Sequence, residues 1–431
     1  MAIGPNPILH PFSWRSPIAK NGKHELEKWG EVLIKMRYLA AASAMLVAGA
    51  AHAQSSVTLF GLIDTGVVYQ NNARVSESSA TSPGASAWSM QSGNVFTSRW
   101  GLRGTEDLGG GLAAVFWLEN GFNVDSGALK NGGDLFGRQA WVGLRSEQYG
   151  TLSLGRQYDF MVDYVAPLSA TGSGFGGNLA SHVYDNDNLN NDLRLNNSVK
   201  FSSASFGGFK AGAMYAFSGE AGDFANNSAY SLGTSYTYGP FNVAAAYLQI
   251  NRTAQSSLAN ATGAVSTGDG DQLTTGGSQQ IYGAGAQYKF GKSSVGVVWT
   301  HSVTDNVTGI WQGGSTSTGA IGGSYIKFDN FEINGRYFVM PDFSLGVAYT
   351  YTTGGFGGAT KGFTSATPHW NQVMAQADYF LSARTDVYLE GVYQRVGGGN
   401  GNAAFDASVY SLDPSSNNTQ VVVAVGLKHR F

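Results

Sequence analysis

"TQVVVAVGLKHRF" (residues 419–431) ends the chain, and its alternation decides how the rest is read. In a strand, successive side chains point to opposite faces. Val421, Val423, Val425, Leu427, His429 and Phe431 share one face, while Gln420, Val422, Ala424, Gly426, Lys428 and Arg430 share the other. One face is oily and finishes on a large aromatic; the other is small, polar or charged. Last residues of soluble domains usually fray, so a phenylalanine in that place predicts a surface that receives it.

The same alternation recurs in "FSLGVAYTYT" (343–352), "VMAQADYFL" (373–381), "FEINGRYFV" (331–339) and "IYGAGAQYKF" (281–290), the mark of a strand with two different environments. Short turns stand at 106–112, 145–150, 203–208, 238–240, 290–294, 340–342 and 381–385. Long polar connections lie near 71–88, 123–134, 157–195, 218–228, 251–278, 303–322, 353–368 and 396–417. Seven turns and eight loops are fifteen connections, hence sixteen strands with both ends on the short-turn side. The fold class expected is all-β: a transmembrane antiparallel β-barrel of 16 strands with short periplasmic turns and long external loops.

A soluble β-sandwich would alternate too, but with its oily face in a core. Here aromatics crowd the strand ends of the oily face, as at a membrane interface, and Arg, Lys, Glu, Gln and Gly fill the other. An open sheet in hydrocarbon would leave backbone groups unpaired at several kcal/mol each, so the sheet must close.

Composition agrees. Charged residues are 13% of the 431, about half the usual share. No apolar run approaches the ~20 residues of a membrane helix. Sixty glycines and 54 aromatics argue against a helical protein. With no cysteine, disulfides and thiolate metal sites are excluded.

"MRYLAAASAMLVAGAAHAQ" (36–54) has a basic start, an apolar stretch and a small-x-small site at Ala51-His52-Ala53. That pattern predicts a signal peptide over 36–53, preceded by a non-native or misassigned leader over 1–35, and a barrel over 54–431. Over 54–431 there are 20 Lys and Arg against 26 Asp and Glu, a net charge of −6. No clustered basic surface suggests nucleic acid.

Several segments carry a family likeness: "AQSSVTLFGLID", "SRWGLRGTEDLGGGLAAVFWLE", "FGRQAWVGL", "GTLSLGRQ", "NNSVKFSS" and the final "VGLKHRF". In this order they resemble the trimeric general-diffusion porins of Gram-negative outer membranes, of the β-proteobacterial and neisserial type. The resemblance implies a homotrimer in outer-membrane lipid and lipopolysaccharide, with a water-filled pore for ions and small hydrophilic solutes in each subunit. It also implies a third external loop folded into the pore, and a final aromatic, here Phe431, read by the barrel-insertion machinery as an assembly signal.

A pore of this width takes its selectivity from whatever narrows it. The stretch from Asp159 to Asp192 is the longest external insertion, and "GSGFGG" (172–177) permits sharp inward bends. Its acidic candidates are Asp159, Asp163, Asp185, Asp187 and Asp192; a Pro-Glu-Phe-Gly type tip found in relatives is missing. The basic wall expected opposite comprises Arg99, Arg103, Arg194 and Lys200 by strand parity, and Arg138 by the resemblance, since Arg138 shares parity with apolar Ala140, Val142 and Leu144. Arg156 shares parity with Leu152 and Leu154 and points toward a subunit interface. The ring of charges, rather than the net charge, is expected to set ion preference, because screening acts within about 8 Å at physiological salt.

No cofactor or metal is expected. "GAGAQYKFGKSS" (283–294) has one residue too many between glycines for a phosphate loop, and "DNDNLNNDLR" (185–194) puts Leu189 and Asn190 where a calcium loop needs a ligand and a glycine. G-x-S-x-G and H-E-x-x-H do not occur, so catalysis is not expected. A barrel enzyme with catalytic groups at its mouth, or an adhesin using its long loops, are the alternative functions.

Overall fold

The computed structural model describes residues 56–75, 82–252, 263–266, 274–310, 319–320, 322–358 and 364–431. The leader and signal segments expected over 1–53 lie outside the described residues. The first barrel strands are β1 (Ser56–Arg74), β2 in two pieces (Gly84–Ser92 and Arg99–Gly109), β3 (Leu112–Gly121), β4 (Gln139–Ser146) and β5 (Gly150–Gln157). Then come β6 (Leu195–Ser203), β7 (Phe209–Ala216), β8 (Ser228–Tyr238), β9 (Phe241–Asn251), β10 (Gln279–Phe290) and β11 (Ser293–Asp305). The wall is completed by β12 (Gly323–Met340), β13 (Phe343–Gly358), β14 (His369–Phe380), β15 (Thr385–Gly397) and β16 (Thr419–Arg430).

Each strand pairs antiparallel with the next, and β16 returns to β1 with Leu62 opposite Arg430 and Gln70 opposite Val422. The sheet is a closed barrel of sixteen strands, so no edge faces lipid. Exposure runs opposite to that of a soluble domain. Ile333 and Val425 are 59% and 57% exposed, whereas Glu390 and Lys428 are fully buried on the inner face. Tyr238, Phe241, Tyr288, Phe290, Tyr337 and Tyr379 stand exposed beside the short turns, forming an interfacial girdle.

The seam explains the final residue. Gly61 and Phe431 exchange both backbone hydrogen bonds at 3.1 Å. The phenyl ring lies over Gly61, where a Cβ would fall 2.2 Å from a ring carbon. Gly61→Val is expected to cut the refolded fraction severalfold in a heat-modifiability gel assay. Gly391→Val is the control, since a Cβ there meets only a carbonyl 4.0 Å away.

The sequence does not mark the break in β2. Asp64 holds it open: its carboxylate accepts from the amides of Val95 (2.9 Å) and Phe96 (2.7 Å), and its carbonyl accepts from Gly93 N at 2.8 Å. Gly93 takes φ +83°, where a side chain would be strained. The break frees two carbonyls, and the third loop uses them: Asn178 N donates to Val95 O at 3.1 Å and Leu179 N to Asn94 O at 3.3 Å.

That loop, residues 158–194, turns inward and lies along the inner wall as short helical turns, beginning with Met161–Val165. Phe160, Met161 and Leu168 pack on Met214, Leu248, Ile281 and Val298. Phe175 and Leu179 pack on Val68, Ala348, Met374 and Val392. Wall glycines make the room. A Cβ at Gly233 would lie 2.5 Å from Phe160 Cβ, and one at Gly346 2.4 Å from the Phe175 ring.

Candidate pore constriction

Where this loop meets the wall, three separate elements bring arginines together. Arg99 opens the second piece of β2, Arg138 immediately precedes β4, and Arg194 immediately precedes β6. Two of them are anchored on Glu119 of β3: Arg138 Nε lies 2.6 Å from its Oε1 and Arg99 Nη1 lies 3.6 Å away. Trp117 Nε1 donates to the other oxygen at 2.7 Å. Arg138 Nη2 and Arg194 Nη2 both donate to Asn191 Oδ1, at 3.1 and 3.4 Å. Tyr158 supplies an aromatic face to both of these guanidinium groups, 5.9 and 5.6 Å from its centroid. Position 138 lies just outside the strand, so its side chain is free of the apolar parity of β4 and reaches the lumen.

Between this wall and the loop is a cleft of about 220 Å³, bordered by Arg99 and Tyr158 on one side and by Val162, Pro167, Thr171 and Asn190 on the other. None of these loop residues is acidic. The five aspartates are placed differently from a charged rim facing the arginines. Asp159 is fully buried and accepts from Met161 N (2.6 Å) and Asn188 Nδ2 (2.5 Å); burial pushes its pKa up to about 6. Asp185, also buried, accepts from the amides of Asn190 and Asp192 at 2.9 and 3.3 Å. Asp187 accepts from Thr300 Oγ1 at 2.5 Å and meets His182 Nδ1 at 2.6 Å. Asp163 pairs with Lys200, and Asp192 accepts from the Tyr410 hydroxyl. The aspartates staple the loop to itself and to the wall.

Of the five basic candidates, Arg99, Arg138 and Arg194 therefore gather about Glu119, Asn191 and Tyr158; Arg99 borders the cleft, and Arg138 and Arg194 are buried beside it. Lys200 is taken up by Asp163 and by Tyr158 O at 2.7 Å. Arg103 sits farther down β2, with its guanidinium over Phe60 and Trp117, 5.4 and 5.5 Å from the ring centroids. Arg156 lies at an irregularity in the β5–β6 register and donates to Gly137 O at 2.7 Å and Asn196 Oδ1 at 2.6 Å.

Several residues at the site carried no readable role in the sequence. Glu119 and Tyr158 organise the arginines. Lys130, on the second external loop, lies within electrostatic reach of Asp192, Arg138 and Arg194, and burial lowers its pKa. His182 bridges two buried carboxylates, with Nε2 2.9 Å from Glu332 Oε2. Only Glu119 left a signal: an acid on the inner parity of "FWLENG" (116–121), beside the arginines of the adjacent strand.

A family model described as a Gram-negative porin matches residues 40–399, most of this chain. The chain belongs to the Gram-negative porins. It is 34% identical to an outer membrane porin protein of Bordetella pertussis over 427 residues, which cover 92% of this chain and all of the relative. It is also 34% identical to outer membrane porin protein 32 of Delftia acidovorans, over 61% of this chain and 73% of that one. Among solved structures, an anion-selective porin from Comamonas acidovorans superposes with TM-score 0.62 at 24% identity, covering 88% of this chain and all of the other. The in-vitro folded OmpT of Vibrio cholerae, in trimer form, does so with TM-score 0.57 at 18% identity, covering 88% and 99%. The porin is thus a channel-forming barrel of the outer membrane, with its third loop folded inward along the wall.

Proposed function

We propose that this porin is a homotrimeric channel for passive diffusion that favours small anions over cations, with Arg99, Arg138 and Arg194 as its selective wall. One observation carries the reading: Arg99 and no carboxylate borders the cleft, with Arg138 and Arg194 gathered about Tyr158, while three of the five loop aspartates are buried. Lys200 pairs with Asp163 and the Tyr410 hydroxyl holds Asp192, so neither lines the cleft. Two unit charges 4 Å apart interact by about 1 kcal/mol in water and about 4 kcal/mol at an effective dielectric near 20. A fixed cationic charge beside the cleft therefore biases ion entry severalfold without trapping the ion.

The trimer form of the Vibrio cholerae structure and the anion selectivity of the Comamonas acidovorans porin support the same reading. Export by a signal peptide over 36–53, a mature barrel over 54–431, and recognition of Phe431 by the insertion machinery in lipid and lipopolysaccharide complete it. Transport needs no catalytic step. Liposome swelling tests the preference: gluconate is expected to enter severalfold faster than N-methylglucamine of similar size. Equal rates, or faster entry of the cation, would contradict it.

A further inference from the structure

Below the constriction the wall changes character. Arg103 lies four residues along β2 from Arg99, toward the short turn, or about 13 Å at strand rise. The register sets Thr58, Arg103, Trp117 and Trp141 side by side across β1 to β4 on the inner face. Trp117 and Trp141 stack at 6.4 Å and 11°, and Phe60 lies 4.6 Å from Trp117. Both indole N–H groups are directed along the wall toward the constriction, to Glu119 Oε2 (2.7 Å) and Gln139 Oε1 (3.1 Å). Trp117, Trp141, Arg103 and Arg145 border a cavity of about 450 Å³, also lined by Thr58 and Thr151, with Phe60 behind Trp117.

The two cations here differ from those above. Arg99 and Arg138 share a carboxylate, whereas neither Arg103 nor Arg145 has an ion-pair or hydrogen-bonding partner among the described residues. The Arg103 guanidinium lies over the Phe60 and Trp117 rings, 5.4 and 5.5 Å from their centroids, with its N–H donors unused among the described residues. A guanidinium edge matches a carboxylate in bidentate geometry, and an indole face matches a flat ring. The cavity is within the size range of small-molecule sites.

We infer that the lumenal patch of Phe60, Trp117 and Trp141 with Arg103 and Arg145 is a subsite for aromatic monocarboxylates, a resting place on the periplasmic side of the constriction. The carboxylate meets the arginines while the ring lies on the indoles. A plain aliphatic acid gains only the first contact, and a neutral arene only the second. The inference rests on the anion-favouring reading of the pore above.

Single-channel recording on the full-length protein with benzoate and acetate as probes tests it. Benzoate is expected to produce brief current interruptions at about tenfold lower concentration than acetate, since it adds ring stacking to the shared ion pair. Trp141→Leu, and separately Arg103→Gln with Arg145→Gln, are each expected to raise the benzoate concentration needed by about fivefold or more. Equal action of benzoate and acetate on the wild-type channel would overturn the subsite, as would variants that match the wild type. The wild-type comparison stands even if a variant fails to fold. The zero-current potential of the wild-type channel in potassium chloride separates the two ideas. Anion preference with no benzoate events sinks the subsite alone; cation preference sinks the reading beneath it.

Discussion

Replacing His182 by alanine is expected to loosen the third loop and turn one steady conductance into a larger, fluctuating one. His182 is completely enclosed, with Asp187 2.6 Å from one ring nitrogen and Glu332 2.9 Å from the other. Burial alone would lower its pKa, but the two carboxylates outweigh burial and raise it to about 10, so the ring is a cation at neutral pH. In the same exchange the imidazolium outweighs the burial of Asp187 and holds its pKa below the usual value. Removing the partner of a buried charge costs about 3–5 kcal/mol, and here two acids would be left together. Glu332 also accepts from Ala170 N at 2.8 Å, so the damage reaches the loop backbone directly.

The pH dependence has a definite sign. A histidine whose pKa is raised from 6.5 to about 10 stabilises the anchored loop fully below 6.5, and the gain is lost as pH rises through about 10. Open-channel noise in the wild type should grow across that alkaline window, and the alanine variant should show no further change there. A His182→Ala channel with wild-type conductance and wild-type noise would show that the bridge does not hold the loop.

The second large effect is electrical. Arg99→Gln together with Arg194→Gln is expected to move the zero-current potential in a salt gradient toward the cation side, reducing the anion-to-cation permeability ratio about fivefold or more for the charges removed. Arg138 should not be the first target, because its loss leaves the buried Glu119 without its nearest cation, Arg99 standing 3.6 Å away. Such a variant would confound selectivity with stability. The shift should shrink at high salt, where the screening length falls to about 3 Å. An unchanged potential in the double variant would remove both residues from the selective wall.

The barrel was legible in the sequence because lipid and water impose a period of two on every strand. Segments such as 343–352 and 419–431 display it. The turn-and-loop rhythm set the strand number, since short and long connections lie on opposite sides of the membrane. The break in β2 was not legible, because it depends on Asp64 accepting from residues about thirty positions away.

The constriction was legible only in part. Strand parity puts Arg99 and Arg194 in the lumen, but parity ends where the strand does. The side chain of Arg138 is therefore set by Glu119 and Asn191 rather than by its alternation mates. The loop aspartates were the harder case. An acid in a long loop reads as exposed, whereas Asp159, Asp185 and Asp187 are consumed by amides, an asparagine, a threonine and a histidine that only folding brings near. A run of acids by itself does not say whether its charge faces the pore or holds the loop in place.

The most direct measurement is the zero-current potential of the purified wild-type channel in a planar bilayer across a tenfold gradient of potassium chloride. A cleft bordered by Arg99 and by no carboxylate, with three loop aspartates buried, predicts a potential of the sign set by chloride, diminishing as total salt is raised. A potential of the sign set by potassium would contradict the account, because Arg99 and the arginines gathered about Tyr158 could not then set the field that passing ions meet.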